Sequence, residues 1–165
     1  MEAESNGMQE ILAAVGRLQQ QDRSRGRAEL LALWERCGSN GSALEVCTLA
    51  HFLADTETDA ALELEWDLRA LEAATGDRGA SRREPVASVP VAFLASLHLN
   101  VGDCLLRAGE VDRAEAHARA GLNAAADLKE DGYGRLTSNA LRSLCERIDA
   151  ARLGDEARQR DGEPG

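Results

Sequence analysis

From Leu97 to Leu122 the chain holds two segments of helical apolar period separated by Gly109, with small residues where two such helices would have to touch. Gly102 lies in the first segment, followed three residues later by Leu105; Ala114 and Ala118 lie in the second. These positions predict a pair of helices folded back on each other and meeting at Gly102 and Ala114. The composition agrees. Apolar residues make up 44% of the chain but aromatics only 3%, so the interior must be filled by Leu, Ala and Val, which suits close helix packing. At 165 residues the chain is long enough for one domain with its own core and too short for two comfortable ones. Pro85 and Pro90 lie near one another and Pro164 is at the tail, so no proline interrupts an apolar run before residue 84 or after 90.

Met8, Ile11, Leu12, Val15 and Leu18 predict a first helix over about residues 8–21. Arg23 to Arg27 reads as a short basic break. Leu30, Leu33, Trp34 and Cys37 then line a second helix that Gly38 can terminate. Ser42 and Glu45 fit a capping box opening a third helix, whose broad apolar face is Leu44, Cys47, Leu49, Phe52 and Leu53. Thr58 is the expected cap of a fourth helix with the stripe Ala61, Leu64, Leu68 and Leu71. A second line on that helix, Leu62, Trp66 and Ala70, predicts burial on two sides. Periodicity fails between Thr75 and Pro90, where Gly76, Gly79 and the two prolines accompany Arg78, Arg82 and Arg83. This loop reads either as a mobile spacer or as a partner contact. Helices over Val91–Ala108 and Val111–Leu128 follow, and Gly132 to Gly134 breaks the pattern again. The seventh helix places Leu136, Ala140, Leu144 and Ile148 on one side and Arg142, Glu146 and Arg147 on the other, as a terminal cap would. From Gly154 onward no large apolar residue anchors the chain except the proline at 164, and a disordered tail over 154–165 is expected.

The order Asn100, Val101, Gly102, Asp103 followed by Gly109, Glu110, Val111, Asp112, Arg113 and Ala114 resembles one tetratricopeptide repeat. Gly102, Leu105, Gly109, Ala114 and Ala118 stand at that family's structural positions. Its late alanine is replaced by Gly121, which loosens a helix by about 1 kcal/mol relative to Ala. Leu44 to Leu71 resembles a second, degenerate copy, with Cys47 and Thr48 at the close-packing positions. The resemblance implies an all-α fold, a right-handed stack of antiparallel helix hairpins with about seven helices. As one domain over 1–153 it would comprise an N-terminal helix pair at 8–37, a degenerate repeat at 42–74, the loop at 75–90, the best repeat at 91–128 and a capping helix at 133–153. It also implies an inner groove lined by Leu99, Asn100, Asp103, Leu106 and Arg107. The Asn100 amide, both donor and acceptor, suits the backbone of an extended peptide. The same residues also fit a plain solvated face. In the degenerate copy the corresponding positions are Glu45, Leu49, Phe52 and Leu53, apolar enough to pack instead against the first two helices.

The implied function is a non-catalytic protein–protein interaction module, an adaptor or regulatory scaffold holding a peptide or a partner subunit; a homodimer is also compatible. A formal net charge of −10 opposes attraction to nucleic acid or to an anionic membrane surface. No signal peptide or membrane span is recognisable, and a cytoplasmic location is expected. Lys129 is the single lysine among 19 basic residues, a bias of GC-rich bacterial genomes. Cys37, Cys47, Cys104 and Cys145 are widely spaced and predict buried reduced thiols, not a zinc or redox site. No short catalytic motif orders His51, His98 and His117, so no metal, cofactor or enzymatic activity is expected. The competing reading is a small helical sensor or hydrolase-like domain in which His51, His98 and nearby acids bind a small molecule or metal. Asp55, Glu57, Asp59, Glu63, Glu65 and Asp67 form an acidic run without a compensating base, either a solvated helix start or a dock for a basic segment.

Overall fold

Helix-end chemistry sets the boundaries of the chain's elements, and all of the regular structure among the described residues is helical. The computed structural model describes residues 2–20, 22–37, 41–76, 89–126, 128 and 131–161. It contains α1 (Glu2–Gln19), α2 (Arg23–Cys37), α3 (Ala43–Ala54), α4 (Ala60–Thr75), α5 (Val91–Arg107), α6 (Val111–Ala125) and α7 (Gly132–Asp161). The capping box forms as expected: the Glu45 amide donates to Ser42 Oγ at 3.3 Å and the Ser42 amide to the Glu45 carboxylate at 2.9 Å. The cap of α4 is Asp59 and not Thr58. Its carboxylate accepts from the Ala61 and Leu62 amides at 2.8 and 3.1 Å, and a charged acceptor at a positive helix end outcompetes a hydroxyl one residue earlier.

Several expected boundaries move. The basic segment Arg23–Arg27 is the first turn and a half of α2, because its charges have partners: Arg23 donates to the Asp55 carbonyl at 2.9 Å and Arg27 pairs with Glu57 at 2.7 Å. α6 ends at Ala125, short of the predicted Leu128. α7 starts at Gly132, where the Asp131 carboxylate accepts from the Gly134 amide at 2.9 Å, and it runs to Asp161 through the segment expected to be a disordered tail. Ala157, Arg158 and Gln159 are residue types of high helix propensity. The proposed stop at Gly38, the loop residues 77–88 and the last four residues lie outside the described residues.

Contacts group the chain into two compact units, residues 1–93 and 94–165, a finer grain than the single domain expected from length. In the first, α1 and α2 run antiparallel, Arg17 meeting Glu29 and Glu10 meeting Arg36. Gly26 permits their close crossing: a Cβ there would stand 3.0 Å from the Leu18 backbone nitrogen. α3 lies across both helices, and Leu49 and Leu53 join Ile11, Val15, Leu30 and Leu33 in one core. Of the groove-equivalent positions on the degenerate copy, Glu45, Leu49 and Leu53 are therefore buried against α1 and α2 or the α3 cap, and Phe52 packs on the same core. α4 adds Trp66, edge-to-face with Trp34 at 4.9 Å, but Leu62 is 46% exposed, so its second apolar line is incomplete. Two acids of the run have a basic partner, Glu57 in Arg27 and Glu65 in Arg69 at 2.6 Å, while Asp59 caps a helix and Asp67 is buried.

In the second unit α5, α6 and α7 pack together at the cluster of Ala95, Ala125 and Leu141 and where Gly102 meets Ala114 and Leu144; Val101, Leu105, Ala118 and Ile148 are also buried. The face of α7 is rotated from expectation. Thr137, Leu141, Leu144 and Ile148 turn inward, while Leu136 is 69% exposed. No helix among the described residues is long and apolar enough to cross a membrane.

Candidate functional site

The candidate site grows from the seam between α5 and α6. α5 ends in a Schellman turn, with the Gly109 amide donating to the Leu106 carbonyl at 3.0 Å and the Glu110 amide to the Leu105 carbonyl at 2.9 Å. Gly109 takes φ 79°, which a side chain would disfavour. The chain then reverses into α6, and the two helices touch where their side chains are smallest. A Cβ on Gly102 would lie 3.4 Å from the Ala114 carbonyl and 2.9 Å from Leu144 Cδ2. At the other end of the seam a Cβ on Gly121 would lie 3.3 Å from the Ala95 carbonyl, 3.2 Å from His98 Cβ and 2.6 Å from Leu141 Cδ2. Gly121, unexplained by the repeat pattern, is thus a second point of close approach. Positions rising along α5 meet positions falling along α6 and rising along α7, so α6 is antiparallel to its two neighbours.

Away from this seam α5 carries the five groove candidates. Leu99 is half-buried and packs on the cluster of Ala95, Ala125 and Leu141. Asn100 and Leu106 are half-buried, and Asn100 has a polar partner within the protein. Asp103 binds Arg107 at 3.0 Å and also Arg147 of α7, so one carboxylate bridges two guanidinium groups on adjacent helices. Arg107 is exposed and donates to Cys104 Sγ at 3.0 Å as well. The structure therefore brings Asp103 and Arg107 into one polar cluster and adds Arg147, a residue that the sequence places only on the outward side of a cap. Leu136, Ala140, Ser143 and Arg147 follow one another at helical spacing along α7, and Arg147 fixes that line beside the Asp103 side of α5. Of the structural positions, Gly102, Leu105, Ala114 and Ala118 are buried and Gly109 makes the turn.

The three histidines are divided between the two units. His51 belongs to the first unit, its ring tilted against Phe52 and edge-on to Phe93 with centroids 5.0 and 6.2 Å away, and 4.0 Å from Asp55. His98 faces His117 across the α5–α6 seam, Nδ1 to Nδ1 at 3.1 Å. Burial, and secondarily the neighbouring His117, lowers His98 below the usual histidine range; burial and Arg113 do the same for His117. All four cysteines are free, and burial pushes the Cys47 thiol up to about 12. Among the described residues of unit 94–165 no three His, Cys, Asp or Glu side chains converge as metal ligands. No protein-family model, curated protein or solved structure matches the chain.

Proposed function

We propose that the chain is a non-catalytic interaction module of tetratricopeptide type, which receives an extended peptide or a partner's segment along the exposed side of α5 and α7. One observation carries the reading: α5 and α6 close on glycine and alanine at Gly102 and Ala114, with a left-handed glycine at the turn, as the residue order of that repeat implies. The right-handed stacking of hairpins that the resemblance implies belongs to the same proposal. On the exposed side, the Asn100 amide can engage a peptide backbone, and Arg107 and Arg147 around Asp103 can engage a carboxylate. Leu136, 69% exposed on the flanking line of α7, supplies the apolar contact.

The tagged full chain, used to capture partners from an extract of its own cells, tests this directly. The expected result is one protein enriched in stoichiometric amount and lost with Asn100→Ala or Arg107→Ala, while circular dichroism stays unchanged. Capture unaffected by both substitutions would overturn the assignment of the surface. A metal ion or metabolite that raises the melting temperature of the wild type, but not of His51→Ala or His98→Ala, would replace the module with a small-molecule sensor. If a second copy is the partner, light scattering will show a dimer that the Leu136→Glu variant loses.

A further inference from the structure

His98 and His117 meet between two glycines, and their geometry identifies what they share. A 3.1 Å approach of two ring nitrogens needs a proton between them. One ring carries Nδ1–H and donates; the other presents the Nδ1 lone pair and keeps its own proton on Nε2. The ring centroids are 5.3 Å apart. Rings meeting head-on at this nitrogen separation would have centroids about 5.4 Å apart. The two rings therefore meet nearly head-on, as an N–H···N bond requires.

We propose that His98 and His117 form a proton-operated latch on the α5–α6 hairpin, closed by one N–H···N bond and opened when acid protonates both inner nitrogens. The neutral pair keeps the bond. A first added proton on the outer nitrogen of the donor ring also keeps it, as a charge-assisted bond. A second proton can only go to the accepting Nδ1, where it meets the donor's N–H and a positive ring. Among the described residues of unit 94–165, the charged group that bears on His117 is Arg113 on α6, itself a cation, and α7 presents Leu141 and Leu144 beside the flanking glycines. Gly102 and Gly121 have no side chain to fill the gap, so the seam loosens where it is thinnest. Both rings hold protons less readily in the folded chain than when unfolded, so the unfolded state takes up more protons in acid. The latch contributes fully above the ordinary histidine value of about 6.5 and is lost as pH falls through the lower folded values. This goes beyond the peptide-binding reading and stands without it.

Long-range 1H–15N spectra of histidine-labelled full chain at pH 7.5 are expected to show one ring of the pair protonated on Nδ1 and the other on Nε2. Both should titrate below the ordinary value. Hydrogen exchange of seam amides on α5 and α6 should accelerate at least tenfold between pH 7.5 and 5, after correction for intrinsic rates. The double variant His98→Gln with His117→Gln, whose amides can bond without titrating, should lose that acceleration. The latch is overturned if both rings carry their proton on Nε2, if either titrates at or above the ordinary value, or if the double variant opens in acid like the wild type. Should the double variant not fold, the wild-type tautomers and titrations decide alone.

Discussion

Gly121→Ala is the substitution for which helix propensity and packing disagree most sharply. In a helix interior, replacing Gly by Ala is worth about 1 kcal/mol of stabilisation when the methyl group has room. At Gly121 it has none: the new Cβ would lie 2.6 Å from Leu141 Cδ2, 3.2 Å from His98 Cβ and 3.3 Å from the Ala95 carbonyl. Leu141 can rotate away only within a fully buried site, and the other two atoms are anchored to the α5 backbone, so the helices must separate. Overpacking of this kind costs about 1–3 kcal/mol, and the two rigid neighbours place Gly121 in the upper part of that range. The net expectation is a destabilisation of about 1–2 kcal/mol, which for a unit of this size lowers Tm by roughly 5–10 °C. Gly16→Ala in α1, where no atom lies within 4 Å, keeps only the propensity gain and should stabilise by up to about 1 kcal/mol. Urea unfolding followed by circular dichroism measures both, with hydrogen exchange assigning each effect to its unit. Gly121→Ala stabilising as much as Gly16→Ala would show that the α5–α6 seam is not closed at that point.

Two further substitutions and reactions follow from local geometry. Asp59→Ala removes the acceptor of two first-turn amides and should cost about 1 kcal/mol in urea unfolding, while Thr58→Ala should be close to neutral; the reverse ranking would return the cap to Thr58. Cys47, with its thiol raised to about 12 and no exposed surface, should not react with a disulfide reagent at pH 8 until the chain is unfolded in guanidinium. Rapid native labelling at Cys47 would mean that α3 opens readily.

What the sequence shows well is chemistry completed within a few residues of itself. Ser42 and Glu45 satisfy each other across one helical turn, Gly109 closes a turn between residues 105 and 110, and Gly102 and Ala114 are linked by that same short turn. Where the completing partner is distant, the reading fails in a consistent direction. Arg23 and Arg27 look like a break because their partners, the Asp55 carbonyl and Glu57, lie some thirty residues away; Glu57 looks uncompensated for the same reason, whereas Arg69, the partner of Glu65, is only one helical turn from it. Gly121 looks like a defect until Ala95 and His98 are placed against it. His117 carries no motif because its partner is nineteen residues upstream on the facing helix.

The same division governs the candidate site. The resemblance to a tetratricopeptide repeat implies five positions on α5 for the proposed groove, but it cannot place an opposing wall. That wall depends on the rotation of α7, which is set by Thr137, Leu141 and Leu144 packing inward and not by the more hydrophobic-looking line through Leu136. The rotation exposes Leu136 and brings Arg147 onto Asp103, giving the exposed side an apolar end and a basic end. On the proposed function, a bound segment would carry an apolar residue near Leu136 and an acid near Arg107 and Arg147, on the order of 15 Å apart along α7 at 1.5 Å per residue. The polarity of the segment follows from those two ends, and neither end can be placed until α7 is.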